Sequence, residues 1–423
     1  MKNVQHVPAR YIYLKDNKEL VHGAKYALVI DFETGGLHRL NASASQILNV
    51  CEKGTSVEKA IKQMNLDAES TESLLHSMKS QDLITIEQEP QNTNPKTITR
   101  PPLKLDFIWI ETTSRCNLRC IHCYAEATTK KTVEPNKSQI FDWLDQAAAI
   151  GCRNVQFTGG ECTLRNDIRE LIAHAISKNY ETIEIFTNGN SLDESLISFL
   201  ADNNIQVAIS LYSYKSKSHD MISGVTGSHK KTLQSLKLLL AYDVNVRGSI
   251  IAMKQNEKEL EATQLFLHEL GVLSAPADPI RPCGRGSSLK YWPKDYGSNI
   301  MRTKPDFFVN RNLFEKNQHW NSCWFGKAAI TPEGKVLPCV FARDQVAGSL
   351  NNHSLEWIMK NGLLPFWKLT RDKIAVCRDC EYRYICRDCR PWAYGYTDKI
   401  DSKTPTCTYN PYTGEWGSAE LIT

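Results

Sequence analysis

The stretch TTSRCNLRCIHCYAEA, residues 112–127, sets Cys116, Cys120 and Cys123 in the spacing C-x3-C-x2-C. A structural metal site normally closes its shell with four protein ligands, so a compact set of three points to a metal position left open. Thiolates this close on one loop suit a [4Fe–4S] cluster: three irons take cysteine and the fourth keeps exchangeable ligands. Zinc would want a fourth ligand, and the one histidine nearby, His122, lies inside the loop.

The surroundings favour metal over disulfides. The chain has 14 cysteines in 423 residues, and most are bunched in two places. Its N-terminus, MKNVQHVPARYIYLKDNKEL, has no apolar stretch of the secretory kind. No apolar run reaches the roughly 18 residues of a membrane span. A reducing cytoplasm is therefore the expected setting, and there clustered thiols read as ligands. The net charge of +4 is too mild to argue for nucleic acid.

The length implies more than one core. Residues 1–90 read as a winged-helix-like α+β domain. KYALVIDFETGGLHRLN gives two strands turning at Thr34-Gly35-Gly36, and three short helices follow with Asn41, Thr55 and Asp67 as N-caps. The polar, proline-rich segment EQEPQNTNPKTITRPP marks a linker over 91–104. From 105 to 282 strand and helix patterns alternate, beginning DFIWIET, KSQIFDWLDQAAAIG, NVQFTGG. This rhythm implies a parallel α/β sheet, a partial (β/α)6 barrel with its chemistry at the C-terminal ends of the strands. The three-cysteine loop follows the first of these strands. Residues 283–423 lose the rhythm and are rich in Cys, Pro, Gly, Trp and Tyr, as expected of a domain that leans on bound metal.

C-x3-C-x2-C followed by an aromatic residue, Tyr124, resembles the radical S-adenosylmethionine (SAM) superfamily. FTGGEC, with Gly159, Gly160 and Glu161, is similar to that family's Gly-Gly-Glu element. Asn188 in FTNGN and Ser210 in ISLYS stand where the family places further cofactor contacts. The resemblance implies that Cys116, Cys120 and Cys123 hold the catalytic cluster. The open iron then chelates SAM, whose reductive cleavage yields a 5′-deoxyadenosyl radical that abstracts hydrogen from substrate. Glycines there admit close backbone approach, and the carboxylate suits the SAM ammonium. Cys162 departs from the family, which often has proline there; it is either an inert core thiol or a cavity-facing one. Cys51 and Cys152 read as core thiols.

A second set comprises Cys323 and Cys339 (C-x10-G-x4-C), then Cys377, Cys380, Cys386 and Cys389 (C-x2-C-x5-C-x2-C), then Cys407. It resembles the SPASM extension with its two auxiliary [4Fe–4S] clusters, for three clusters in all. The resemblance implies Cys377, Cys380, Cys386 and Cys407 for the outer cluster and Cys323, Cys339 and Cys389 for the inner. The family usually has three residues, not two, before the fourth cysteine of the compact run. The inner set is one ligand short: Cys283 in RPCGRGSS, a substrate thiolate, or nothing would fill the place. A pair of zinc sites is the competing use of the same cysteines.

Residues 5–90 resemble the PqqD-like peptide-recognition element. An exposed sheet edge beside a helix can take an extended leader peptide as an added strand. Together these resemblances imply a maturase of a ribosomally made precursor peptide, bound through its leader and served by a low-potential electron donor. They imply Cys sulfur-to-carbon thioether crosslinks as the product. Carbon–carbon crosslinking, epimerisation or side-chain oxidation are alternatives, and a non-catalytic iron–sulfur scaffold is the rival of another class.

Overall fold

The structure, a computed structural model, describes residues 9–91, 100–130, 133–293, 307–387 and 389–417. Most of the expected linker lies outside them. The N-terminal part runs β1 (Tyr11–Leu14), β2 (Lys18–His22), β3 (Ala27–Asp31), β4 (Leu37–Leu40), α1 (Ala42–Cys51), α2 (Val57–Met64), α3 (Ala68–Ser80) and β5 (Ile84–Glu87). The expected hairpin is β3–β4, and β2 adds a third antiparallel strand while β1 pairs with β5. Asn41 and Asp67 cap α1 and α3, accepting from Ala44 N at 2.9 Å and Ser70 N at 2.7 Å. The cap of α2 is Ser56 rather than Thr55: its Oγ accepts from Lys59 N at 3.3 Å. Either hydroxyl suits the role, and the backbone turn selects one.

Strand β3 is buried on both faces. Its period of two sends Ala27 and Val29 to the N-terminal helices, and Leu28 and Ile30 to Phe314, Tyr382, Ile385 and Tyr409 of the C-terminal region. The small sheet is thus the middle layer of a sandwich. Ala24 N donates to Asp379 O at 2.8 Å and Arg383 Nη1 to His22 O at 2.6 Å, fixing the dock.

The central part alternates β6 (Phe107–Glu111), α4 (Lys137–Ala149), β7 (Asn154–Thr158), α5 (Ile168–Ser177), β8 (Thr182–Thr187), α6 (Glu194–Asp202) and β9 (Gln206–Ser210). It continues through α7 (Ser216–Ser223), α8 (Ser228–Ala241), β10 (Val246–Ser249), β11 (Ile251–Ala252), α9 (Leu260–Glu269) and β12 (Leu273–Ser274). Strands β6 to β10 and β12 are parallel neighbours in order, the curved sheet of a partial barrel. Helix α4 starts at a capping box formed by Asn136 and Gln139.

The C-terminal region extends the same sheet. After β13 (Asp278–Pro279), which pairs with β11, come α10 (Arg311–His319), β14 (Lys327–Ile330), β15 (Lys335–Leu337) and β16 (Gly348–Ser349). β14 lies parallel to β6, and β15 and β16 follow antiparallel, so one nine-stranded sheet crosses the expected boundary at residue 283. Helices α11 (Leu355–Ile358), α12 (Leu364–Trp367) and α13 (Arg390–Thr397) and the hairpin β17 (Tyr409–Asn410) to β18 (Glu415–Trp416) complete it. Trp320, Trp324 and Trp367 are buried in the barrel's own core cluster, so the two parts share one interior. Among the described residues no helix is long and apolar enough to cross a membrane.

Candidate active site

The cysteine loop leaves the C-terminal end of β6 and is held from three sides. Cys116 N bonds Thr128 O at 3.1 Å within the loop. Arg119 N and Ile121 N bond Ser223 O and Ile222 O, at 2.9 and 3.0 Å, at the end of α7. Arg285 reaches across from the last barrel loop, its Nε on Cys120 O at 2.8 Å and its Nη1 on Ala127 O at 3.2 Å. Arg285 is a positioning residue that sequence reading missed; only its place beside Cys283 in RPCGRGSS hinted at it.

The Gly-Gly-Glu element packs directly on this loop. Gly160 N donates to Thr113 O at 2.7 Å and Glu161 N to Arg115 O at 2.8 Å. A Cβ on Gly160 would meet Arg115 O at 2.1 Å; one on Gly159, at φ +128°, would meet Thr113 O at 2.5 Å. The glycines were expected to admit a cofactor; what they admit in this structure is the cysteine loop itself.

Glu161 is 1% exposed. Its Oε1 accepts from Thr163 N (3.2 Å), Thr163 Oγ1 (2.7 Å) and Thr187 Oγ1 (2.7 Å), and its Oε2 from Asn188 N at 2.8 Å. A carboxylate oxygen offers two lone pairs, so Oε2 retains acceptor capacity toward a cation. Burial pushes its pKa up, and these four donors oppose that. Asn188 in turn donates to Asn117 Oδ1 at 2.8 Å and stands 3.8 Å from Cys116 Sγ. Tyr212, two residues beyond β9, has its hydroxyl 3.5 Å from Cys120 Sγ. Tyr124 meets Phe341 edge-on at 5.1 Å, and the Arg343 guanidinium, paired at 2.6 Å with Glu111, stands 5.9 Å from the Tyr124 ring.

Most of these groups line one cavity of about 930 Å³, its open mouth included. Cys116, Cys120, Cys123, Tyr124, Gly159, Gly160, Glu161, Asn188 and Ser210 all line it. So do Thr187, Tyr212, Arg281, Arg285 and Phe341, which sequence reading passed over. His122 lines it too, held neutral because burial pulls its pKa down to about 3. Cys162 does not: it is fully buried, its Sγ 3.6 Å from Phe186 O, an inert core thiol like Cys51 and Cys152.

Among the described residues none of the 14 cysteines forms a disulfide. In the C-terminal region Arg371 donates to Cys377 Sγ and Cys386 Sγ, each at 3.5 Å. The Cys380 thiol is pushed up by burial and further by Cys386 and Cys407 beside it. Those four are the expected outer set. Burial pushes the Cys339 thiol up and Cys389 adds to it, while Cys323 sits half-buried in the turn before β14 against the barrel core. Among the described residues no three His, Cys, Asp or Glu side chains close on a single-ion site. The donors at the radical site fit a cluster and SAM: Cys116, Cys120 and Cys123 line the same cavity as the Thr187 hydroxyl, the Asn188 amide and the Glu161 carboxylate.

Residues 110–267 match the Radical SAM superfamily and residues 323–381 the iron–sulfur cluster-binding SPASM domain. The chain is similar to AdoMet-dependent heme synthase of Methanosarcina barkeri, 25% identical over 337 residues, covering 71% of this chain and 95% of the relative. It is also similar to the antilisterial bacteriocin subtilosin biosynthesis protein AlbA of Bacillus subtilis, 26% identical over 306 residues, covering 68% of this chain and 67% of the relative. The solved structure of Streptococcus suis SuiB bound to precursor peptide SuiA shares the fold at TM-score 0.55 and 16% identity, covering 94% of this chain and 99% of that one. The fold is thus the radical SAM partial barrel followed by a SPASM domain. The protein is an enzyme whose cofactors are SAM and multiple [4Fe–4S] clusters. The scaffold reading falls away.

Proposed function

We propose that the enzyme matures a ribosomally made precursor peptide, gripping its leader with the N-terminal domain and forming Cys sulfur-to-carbon thioether crosslinks in its core. The observation that carries a peptide substrate is the N-terminal domain itself. It is docked on the C-terminal region through Leu28 and Ile30, and the fold likeness to SuiB, solved with its precursor peptide, spans 94% of this chain and so includes it. Strand β4 hydrogen-bonds only to β3 among the described residues, and His38 on it meets Gln81 at the end of α3, 3.1 Å away. An edge beside a helix suits an added strand. A tetrapyrrole substrate, which the Methanosarcina relative's name implies for that protein, would leave this domain without a role.

When bound, the cluster on Cys116, Cys120 and Cys123 supplies the 5′-deoxyadenosyl radical. The chain's own part is positional. Arg285 and α7 hold the thiol loop, and Glu161 fixes Thr187 and Asn188 at the rim. Tyr124, Gly159, Gly160, Asn188 and Ser210, all lining the cavity, would hold SAM against the thiol loop. Thioether formation removes one hydrogen atom from carbon and one proton and one electron from the thiol; clusters held by the C-terminal cysteines would accept that electron, and an external low-potential donor would resupply the radical site.

A second reading keeps the radical and changes the product to a carbon–carbon crosslink, an epimerised residue or an oxidised side chain. Cys283, whose pKa burial raises first and Cys339 and Cys389 raise further, favours it: were it a fourth inner thiol, no iron would be left for a substrate thiolate. The mass of the co-produced peptide decides. Loss of two hydrogens per crosslink with cysteine alkylation blocked establishes the thioether. The same loss with free thiols indicates carbon–carbon bonding or an oxidised side chain, which fragmentation tells apart, and unchanged mass points to epimerisation.

A further inference from the structure

We propose that Tyr212 donates a hydrogen bond from its hydroxyl to the Cys120 sulfur once that sulfur binds iron, and so raises the reduction potential of the radical-site cluster toward the reach of its electron donor. The inference rests on the reading that Cys116, Cys120 and Cys123 hold that cluster, and it adds a positioning residue to them. The spacing of the cysteines gives no hint of it, because 92 residues separate Tyr212 from Cys120.

The Tyr212 backbone is held at both of its polar groups. Tyr212 N donates to His219 Nδ1 at 3.3 Å, and Tyr212 O accepts from Asn256 Nδ2 at 2.6 Å. His219 and Asn256 are each 1% exposed. Asn256 is itself tied down: its Nδ2 also donates to Ile251 O, and its Oδ1 accepts from Met253 N, both at 2.8 Å. The Tyr212 ring packs on His122, edge-on at 4.8 Å, and on His219, tilted at 5.2 Å, in one apolar cluster with Ile222, Met253 and Ile280. Cys120 is fixed as well, by Arg285 on its carbonyl and by Ile121 N on Ile222 O. Two groups locked on separate elements thus meet at 3.5 Å, hydroxyl against sulfur.

In a free thiol either atom could donate in this contact. A thiolate on iron has no proton left, so the phenol alone can. Cys116 Sγ has amide donors, Leu118 N at 3.4 Å and Asn188 Nδ2 at 3.8 Å; Tyr212 supplies the corresponding donor to Cys120. Hydrogen bonds to cluster sulfurs stabilise the added negative charge of the reduced state. Tyr212 is buried, so water is a poor substitute for its hydroxyl. Removing that hydroxyl should make reduction about tenfold less favourable, ~59 mV for one electron.

The test uses the full chain, loaded anaerobically with iron and sulfide. The radical-site cluster is identified by the change of its electron paramagnetic resonance signal on adding SAM, and its midpoint potential is read by redox titration without SAM. Tyr212→Phe should lower that potential by the amount above, with iron content unchanged and the auxiliary signals unmoved. Site-specific replacement of Tyr212 by 3-fluorotyrosine, which keeps the ring and makes the hydroxyl a stronger donor, should raise it. A potential unchanged in either variant, or shifted with the same sign in both, overturns the assignment. Should Tyr212→Phe fail to hold iron, the fluorotyrosine variant decides alone. An unaltered protein whose iron gives no SAM-dependent signal would instead remove the cluster from Cys116, Cys120 and Cys123, and the inference with it.

Discussion

Gly160 and Arg115 approach so closely that a single methyl group on the glycine would lie 2.1 Å from the arginine's carbonyl oxygen. The contact joins the two motifs of the radical site, and backbone against backbone cannot yield as a flexible side chain can. Gly160→Ala should displace the cysteine loop by about 1 Å. An error of that size in a reacting geometry costs about 100-fold in rate. The expected result is loss of SAM cleavage to 5′-deoxyadenosine, with the C-terminal cysteines still taking up iron, measured by product chromatography and iron analysis.

Arg371 is buried with its guanidinium on the sulfurs of Cys377 and Cys386. Hydrogen bonds and positive charge at cluster sulfurs favour the reduced state. Arg371→Met should lower the reduction potential of the outer cluster. A charge-assisted bond of about 1.5 kcal/mol corresponds to roughly 60 mV for one electron. A redox titration followed by electron paramagnetic resonance reads the shift; an unchanged potential would place the outer cluster elsewhere.

Lys18 and Asp31 face each other across β2 and β3 as a buried pair 2.8 Å apart. Burial acts to raise the Asp31 pKa, but Lys18, Thr34 and the backbone N–H groups of Glu33 and Thr34 outweigh it and hold the carboxyl well below its ordinary range. A depressed folded pKa stabilises fully above the unfolded value of about 3.9 and fails as pH falls through the lower folded one. The N-terminal domain should therefore lose stability only below about pH 4 on account of this pair. Asp31→Asn should cost about 3–5 kcal/mol near neutrality and flatten that acid limb, as followed by denaturant unfolding at several pH values.

Leu28 is 1% exposed and belongs to the face of β3 that meets Tyr382 and Tyr409. Leu28→Ala should remove about 2–5 kcal/mol from that dock. The N-terminal domain should become more readily cleaved from the rest under limited proteolysis, with peptide modification falling accordingly.

The chemistry was legible because it depends on residue types at short spacings. Cys116, Cys120 and Cys123 declare an open cluster within eight positions, and strand–helix alternation places them, Asn188 and Ser210 at the same end of one sheet. Caps such as Asn41 and Asp67 are equally local, and the shift from Thr55 to Ser56 shows how little separates two hydroxyls in a row. The short strands β1 and β5 were not legible, since four residues carry too little period; nor was α7, whose sequence SKSHDMIS is nearly all polar.

What the sequence determined by itself was therefore the inventory: a three-thiol loop, a wound parallel sheet, and seven further cysteines in recognisable spacings. What the tertiary structure alone decided was the company each group keeps. It gave the Gly-Gly pair to the cysteine loop, brought Arg285, Tyr212 and Arg281 into the cavity, made β3 a shared layer between two domains, and laid Arg281 over Phe341. Spacing along the chain constrains only neighbours a few residues apart; contacts across 71 to 165 residues, such as that of Asn188 with Asn117 or Arg285 with Cys120, exist only once the sheet has closed and buried them.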